Sequence, residues 1–178
     1  YAARRSSCEQ AAALLEVELL ADLDPAQLDY NLKLLAQSAR EQGLQEQQVD
    51  TLVRRTRHVV SEIERTEKLI ELLKTQDLTD AAALAEVGQL MNASHDSLRY
   101  DYEVTVGELD TAVEAARAAG AIGARMTGGG FGGSAIALVR TQELEQVAQA
   151  IAQAFAKAGY REPAFLQAEP GPGAGGLE

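Results

Sequence analysis

Residues 125–134 read Arg-Met-Thr-Gly-Gly-Gly-Phe-Gly-Gly-Ser, placing Gly128, Gly129, Gly130, Gly132 and Gly133 around a single aromatic, Phe131. Glycine loses more conformational freedom on folding than any other residue, so so dense a cluster needs a reason: a close backbone approach or positive φ angles. Successive N–H groups in such a run can converge into a concave nest that holds or borders an anion, and phosphate is the chemistry this suggests. Two familiar phosphate loops do not fit. Gly128, Gly130 and Gly133 satisfy the spelling G-x-G-x-x-G, but that dinucleotide fingerprint opens a helix. Here residues 134–139, Ser-Ala-Ile-Ala-Leu-Val, form a short apolar, partly β-branched run that reads as a strand. A Walker A loop needs Lys and then Ser or Thr after its last glycine, where this chain has Ser134 and Ala135. What remains is a glycine loop joining a strand at 121–127 to one at 134–140, with Phe131 as a hydrophobic anchor at a hairpin tip. A plain hairpin turn is the alternative, although ordinary hairpins turn in about two to five residues. Arg125 and Thr127 lead into the loop, and Arg125 could either neutralise phosphate or serve as an ion-pair partner.

A second group of polar residues, Ser94, His95 and Arg99, falls between a helix predicted to end near Met91 and the next helix. This places them on a connecting loop, where a histidine can hold an oxygen and an arginine offers a planar fork of donors. The competing reading has His95 capping the helix and Arg99 paired with Asp96 or Asp101. His58 lies among Arg54, Arg55, Arg57, Glu62 and Arg65 and reads as part of a salt-linked surface or domain interface. Cys8, the single cysteine, sits in an amphipathic pattern and reads as a small buried hydrophobe. No His, Cys or carboxylate cluster has metal-ligand spacing.

The elements that would position these residues are helices first and sheet last. Helices are predicted at 4–17 and at 25–38, the second with Asp24 as cap and Pro25 in its first turn. Val49, Leu52, Val53, Val59, Val60, Ile63, Leu69, Ile70 and Leu73 form one apolar stripe from about 46 to 75. Thr79 is expected to cap the next helix, and Thr105 with Glu108 has capping-box spacing for a helix ending at Gly120. Strand, glycine loop, strand, a helix from about 142 to 158 and a last strand at 163–169 make most of a split βαβ unit. The 27 acidic and 16 basic residues give a net charge of −11, with an isoelectric point near 4.7. That charge argues against nucleic acid and anionic membranes as partners. No run reaches a membrane span, and the cysteine usage suits a reducing cytoplasm.

The run 125–134 with its following strand resembles the third motif of the galactokinases, a branch of the GHMP small-molecule kinases. So do residues 91–105, with Glu108-Leu109-Asp110 just after them, residues 57–63, and the opening Tyr1-Ala2-Ala3-Arg4-Arg5-Ser6-Ser7-Cys8-Glu9. The blocks occur in the family's order and cover nearly the whole chain. Ser134 stands where the family more often has Cys, and Gly107 where it usually has Pro. Nothing matches the family's N-terminal sugar motif, its serine-rich nucleotide loop or its aspartate-bearing segment, so the resemblance is to the C-terminal portion only.

This resemblance implies an α+β fold, helix-rich with a small antiparallel sheet: a ferredoxin-like C-terminal domain of the GHMP kinase type, whose first strand precedes Tyr1. The domain would run over 1–169, helical to about 120 and hairpin-helix-strand from 121, with a flexible tail at 170–178. The implied activity is ATP-dependent phosphorylation of galactose at the anomeric hydroxyl, in the cytoplasm. The alternatives are a related kinase, such as one for N-acetylgalactosamine, or a non-catalytic helical interaction domain. No catalytic residue would lie on this chain. ATP and Mg2+ would be bound mainly by an N-terminal kinase domain, the expected partner, and the chain alone would be inactive. Tyr1 would approach the sugar, and Thr127, Gly128, Gly129, Gly130, Phe131, Gly132 and Gly133 would support the phosphate loop. Ser94, His95, Arg99 and Arg125 would stand beside that site.

Overall fold

The computed structural model describes residues 2–168; Tyr1, Glu169 and the tail at 170–178 lie outside them. Helices α1 (Ala2–Leu14), α2 (Leu28–Glu41) and α3 (Glu46–Thr75) pack together first. Their shared core holds Ala11, Leu20, Leu35, Ala39, Val49, Leu52 and Val60. Each large aliphatic side chain buried there contributes about 1.5–3 kcal/mol. Asp24 accepts the Ala26 N–H at 2.9 Å as expected, opening a single 3-10 turn at Pro25–Gln27 before α2 begins. The apolar stripe of α3 is buried only in part. Ile70 and Leu73 are exposed, while Leu72 beside them on the last turns of this 30-residue helix is buried.

Helix α4 (Ala81–Tyr100) lies along α3 and reaches the hairpin of β1 (Gly123–Thr127) and β2 (Ser134–Leu138). Its cap is Asp80, whose carboxylate accepts the Ala82 and Ala83 amides, and not Thr79. It runs unbroken through Ser94, His95 and Arg99, so the expected connecting loop does not exist. Val87, Gly88, Ser94, His95 and Leu98 are all buried on this helix, and packing carries it past the polar stretch that suggested an end. Helix α5 (Gly107–Ala118) starts after Val106, with no side-chain cap in place of the expected Thr105 box. Glu108 and Asp110 in its first turn still complement the helix dipole. Helix α6 (Leu144–Ala158) and α5 pack with β1 around Val113, Ala116, Ala124, Val147, Ile151 and Phe155.

The strands are antiparallel, with Gly123 opposite Leu138 and Thr127 opposite Ser134. The outer edge of β1 is closed by side chains. Ala124 N–H donates to Asn92 Oδ1 at 3.0 Å and Met126 N–H to His95 Nδ1 at 3.1 Å. The carbonyls of Ala124 and Met126 accept from Arg117 and Arg125. Across the ladder, Ala135 and Ala137 turn their backbone groups to the far edge of β2, where nothing among the described residues meets them. The expected last strand does not form over 163–168. In a split βαβ unit that strand pairs with the first, and no such partner strand is present among the described residues. No helix of the described residues is long and apolar enough to cross a membrane.

Helix α4 meets β1 with backbone against backbone. A Cβ on Gly88 would lie 2.0 Å from the Ile122 carbonyl oxygen, and one on Gly123 would lie 2.7 Å from Gly88 Cα. Neither neighbour is a flexible side chain, so the helix and strand would have to separate. Gly88→Ala should therefore cost about 3 kcal/mol of stability, despite alanine's better helix propensity, read as a lower urea midpoint at unchanged slope.

Candidate functional site

The glycine loop is irregular, with φ of 86° at Gly128, 79° at Gly130, 124° at Gly132 and 101° at Gly133. Phe131 also takes a positive φ, 60°, which costs a non-glycine residue about 1–2 kcal/mol. What holds it is a dock: Phe131 N–H donates to the Val104 carbonyl at 2.7 Å. A Cβ on Gly130 would sit 2.4 Å from that same oxygen and 2.8 Å from Val104 Cβ. The loop is thus seated on a buried residue and is not a free hairpin tip, so substitution at Gly130 reaches the core around Val104, Leu98, Leu109 and Met126. Phe131 itself is half exposed and is no hydrophobic anchor; its ring lies 5.9 Å from the Arg4 guanidinium. The five glycine amides have no acceptor among the described residues and remain available as donors.

Beneath the loop, residues 100–104 form a strap whose carbonyls point at arginines from two helices. Arg54 donates to Tyr100 O at 3.0 Å, Arg55 to Asp101 O, and Arg4 to Tyr102 O and Glu103 O, both at 2.7 Å. Arg55 also pairs with the Glu103 carboxylate, Arg54 lies 2.9 Å from it, and Arg57 pairs with Asp101 at 3.0 Å. The Arg55 hydrogen bond chiefly holds the Glu103 carboxyl below its usual range. Arg55 is among the most buried side chains of the molecule, so this part of α3, which reads in sequence as a salt-linked surface or domain interface, carries its salt links but is not a surface at Arg55. His58, on the same face, is also buried: its ring stacks on Tyr102 at 4.4 Å and its Nδ1 is 3.0 Å from Ser97 Oγ. Burial pushes the His58 pKa down to about 4, against the opposing pull of Glu62.

The residues expected beside the site separate into two networks. His95 is 1% exposed, and its Nδ1 accepts the Met126 N–H, so its proton resides on Nε2, facing Asp110 Oδ1 at 3.3 Å. Neither of those two atoms has a hydrogen-bond partner among the described residues, so their approach is an electrostatic contact and not a hydrogen bond. Burial, then the nearby Arg117, lowers the His95 pKa and keeps the ring neutral, as the Met126 amide requires. Arg99 pairs with Asp110 at 3.1 Å and with Glu114, and not with Asp96 or Asp101. Ser94 Oγ donates to Glu62, which also takes Arg65 at 2.8 Å and Arg125 at 3.2 Å. Burial alone would raise the Glu62 carboxyl, but the Ser94 hydroxyl and the two arginines outweigh it and hold it low. Arg125 is therefore an ion-pair partner, the second of the two readings its position allowed. Thr127 ends β1 at the loop's mouth, exposed and paired with Ser134. Tyr1 lies outside the described residues. Cys8 is only half-buried, and that burial raises its thiol pKa.

In sequence, Arg55 and Glu62 read as part of a salt-linked surface or domain interface, while Arg4, Glu103 and Asp110 are assigned no individual role. Their signal was present in the paired arginines at 4–5 and 54–55 and in the Glu108-Leu109-Asp110 block, but which acid meets which base depends on helix packing.

Residues 69–157 match the family of GHMP kinases, C terminal, and the chain belongs to that family. Within it, the chain is similar to galactokinases. It is 42% identical to the galactokinase of Streptomyces coelicolor over 98% of this chain and 41% of that protein. The galactokinase of Mycobacterium tuberculosis is likewise 42% identical, over 98% of this chain and 43% of that one. Among solved structures, Lactococcus lactis galactokinase complexed with galactose superimposes with a TM-score of 0.74 at 36% identity, over 90% of this chain and 38% of that one. The chain spans about two fifths of the length of these relatives.

Both histidines are held neutral below the pKa near 6.5 of an unfolded chain. Their contribution is thus complete above about pH 6.5 and is lost as pH falls, for His58 toward about 4, because only the unfolded chain takes up the proton early. His58→Phe keeps an aromatic ring against Tyr102 but cannot titrate. The fall in melting temperature between pH 7 and pH 4.5 should be smaller in this variant than in the wild type.

Proposed function

We propose that this chain is the C-terminal domain of a galactokinase, which transfers the γ-phosphoryl group of ATP to the anomeric hydroxyl of galactose, releasing ADP and galactose 1-phosphate. The observation that carries the reading is the extent of likeness: 42% identity to galactokinases over 98% of the chain, with a matching fold over 90% of it. A helical interaction domain with a merely structural hairpin draws no support from either comparison.

Phosphoryl transfer depends on positioning and on neutralising charge spread over the transferred group. The donors this chain offers are the amides of Gly128, Gly129, Gly130, Gly132 and Gly133, aimed from a loop whose position is set by Val104. They fit a supporting role beside a triphosphate, with Thr127 at the loop's mouth. Arg125 is spent on Glu62, so the loop's share rests on backbone donors. His95 and Asp110 set the strand that carries the loop, while Ser94 and Arg99 tie α4 to α3 and α5 behind it. Mg2+ and ATP supply the charge neutralisation and the phosphoryl group when bound, and in this reading an N-terminal domain holds both and provides the base. Among the described residues, no group of three or more His, Cys, Asp or Glu is placed to hold a metal ion. Tyr1 is the residue of this chain assigned to the sugar, and the cytoplasm is the expected setting.

The purified 178-residue chain should release no ADP from ATP and galactose above background, whereas the full-length protein should. Full-length protein that turns over N-acetylgalactosamine in preference to galactose would move the substrate assignment. In the full-length enzyme, Gly130→Val should lower kcat by roughly a hundredfold, the scale of a misplacement of about 1 Å. Because Gly130 abuts Val104, the same change should also lower the melting temperature, unlike Gly129→Ala, whose Cβ would meet nothing within 4 Å.

A further inference from the structure

The glycine loop has no regular structure of its own, so something else must decide where it sits. Among the described residues, its one backbone anchor is the Val104 carbonyl. The direction of that carbonyl depends on the Val104 backbone angles and on the peptide before it, which joins Glu103 to Val104. This peptide is held on both sides: Val104 N–H donates to Leu98 O at 3.1 Å, and Glu103 O accepts from Arg4 at 2.7 Å. Glu103 has φ of 54°, a conformation that a non-glycine residue keeps only where its surroundings impose it. Arg54 and Arg55 hold its carboxylate, but neither touches its carbonyl. Arg4 does, while its Nε takes the preceding carbonyl of Tyr102 at 2.7 Å and its guanidinium lies 5.9 Å from the Phe131 ring.

We propose that Arg4 is a positioning residue for the glycine loop: its guanidinium locks the Tyr102 and Glu103 carbonyls and borders the Phe131 ring, so that helix α1 sets where the Gly128–Gly133 amides point. The planar fork suits this task. It spans two successive carbonyls and presents a flat face to an aromatic ring, whereas a lysine ammonium would reach one carbonyl as a point charge. Without Arg4, the 103–104 peptide would be held on one side only, and rotation there would carry the Val104 carbonyl away from Phe131 N–H.

The structural part of the proposal is tested on this chain by amide hydrogen exchange in Arg4→Gln and Arg4→Lys. In Arg4→Gln, the Phe131 amide should exchange roughly tenfold faster, the scale of losing a charge-assisted hydrogen bond, while core amides such as Leu35 and Val113 keep their protection. Arg4→Lys should fall between wild type and Arg4→Gln, and it decides the question if the glutamine variant does not fold. Phe131 exchange unchanged in a folded variant would overturn the proposal. The catalytic part rests on the galactokinase reading: in the full-length protein, Arg4→Gln should lower kcat about tenfold with galactose KM changed less than about twofold, and partial rescue by lysine. Faster Phe131 exchange with unchanged kcat would overturn that part. A wild-type protein inactive on galactose and ATP would instead sink the functional reading, and the exchange result would still decide the role of Arg4 in the fold.

Discussion

The segment from Tyr100 to Val104 leaves a helix, takes a left-handed turn at Glu103 and enters the core at Val104, all without regular backbone pairing. Such a segment would leave several carbonyls without backbone partners; those of Asp101 and Tyr102 are part-buried, and an acceptor left unmade in a fully buried place costs about 1–3 kcal/mol. Arg4, Arg54 and Arg55 supply the missing donors, two of them from the polar face of α3 and one from α1. This arginine-held strap joins the three-helix layer to the hairpin layer, since its last carbonyl is the seat of the glycine loop. The loop's geometry is therefore inherited from helices distant in sequence.

A second tether acts on the strand that feeds the loop. His95 takes the Met126 amide and Asn92 takes the Ala124 amide, so α4 closes the edge of β1 with side chains. This arrangement works only with a neutral imidazole, which burial and Arg117 favour. The close approach at Gly88 and Gly123 brings helix and strand near enough for these short side chains to reach. In the proposed enzyme, the loop would thus be held from below by the strap and from behind by α4, with its glycine amides left free on the remaining side.

Local chemistry made much of this legible in the sequence. The glycine run, the strand after it, the long amphipathic α3 and the Asp24–Pro25 helix entry all follow from short-range rules of φ, period and capping, and all are present. The places where short-range signals misled share a cause. Ser94, His95 and Arg99 looked like a loop because polar residues in a row favour one, yet their partners Glu62, Met126 and Asp110 lie on other elements and make the helix the better solution. The Thr105 capping box and the strand at 163–169 were locally plausible, but α5 begins after Val106 and not after Thr105, and no partner for the strand is present among the described residues.

The sequence by itself determined most of the element types, the glycine loop and the membership of the chain, because these depend on residue type at spacings of one to a few positions. Tertiary structure alone decided which charges pair, which polar side chains are buried and where the loop is seated. A buried arginine and an exposed one are the same letter, and Arg55 becomes the donor for a carbonyl 46 residues away only when α3 and the strap meet. The Val104 carbonyl likewise carries no signal of its own, since every residue has one. It becomes the anchor of the glycine loop because Arg4, Leu98 and Phe131 converge on it and on the peptide before it from three separate parts of the chain.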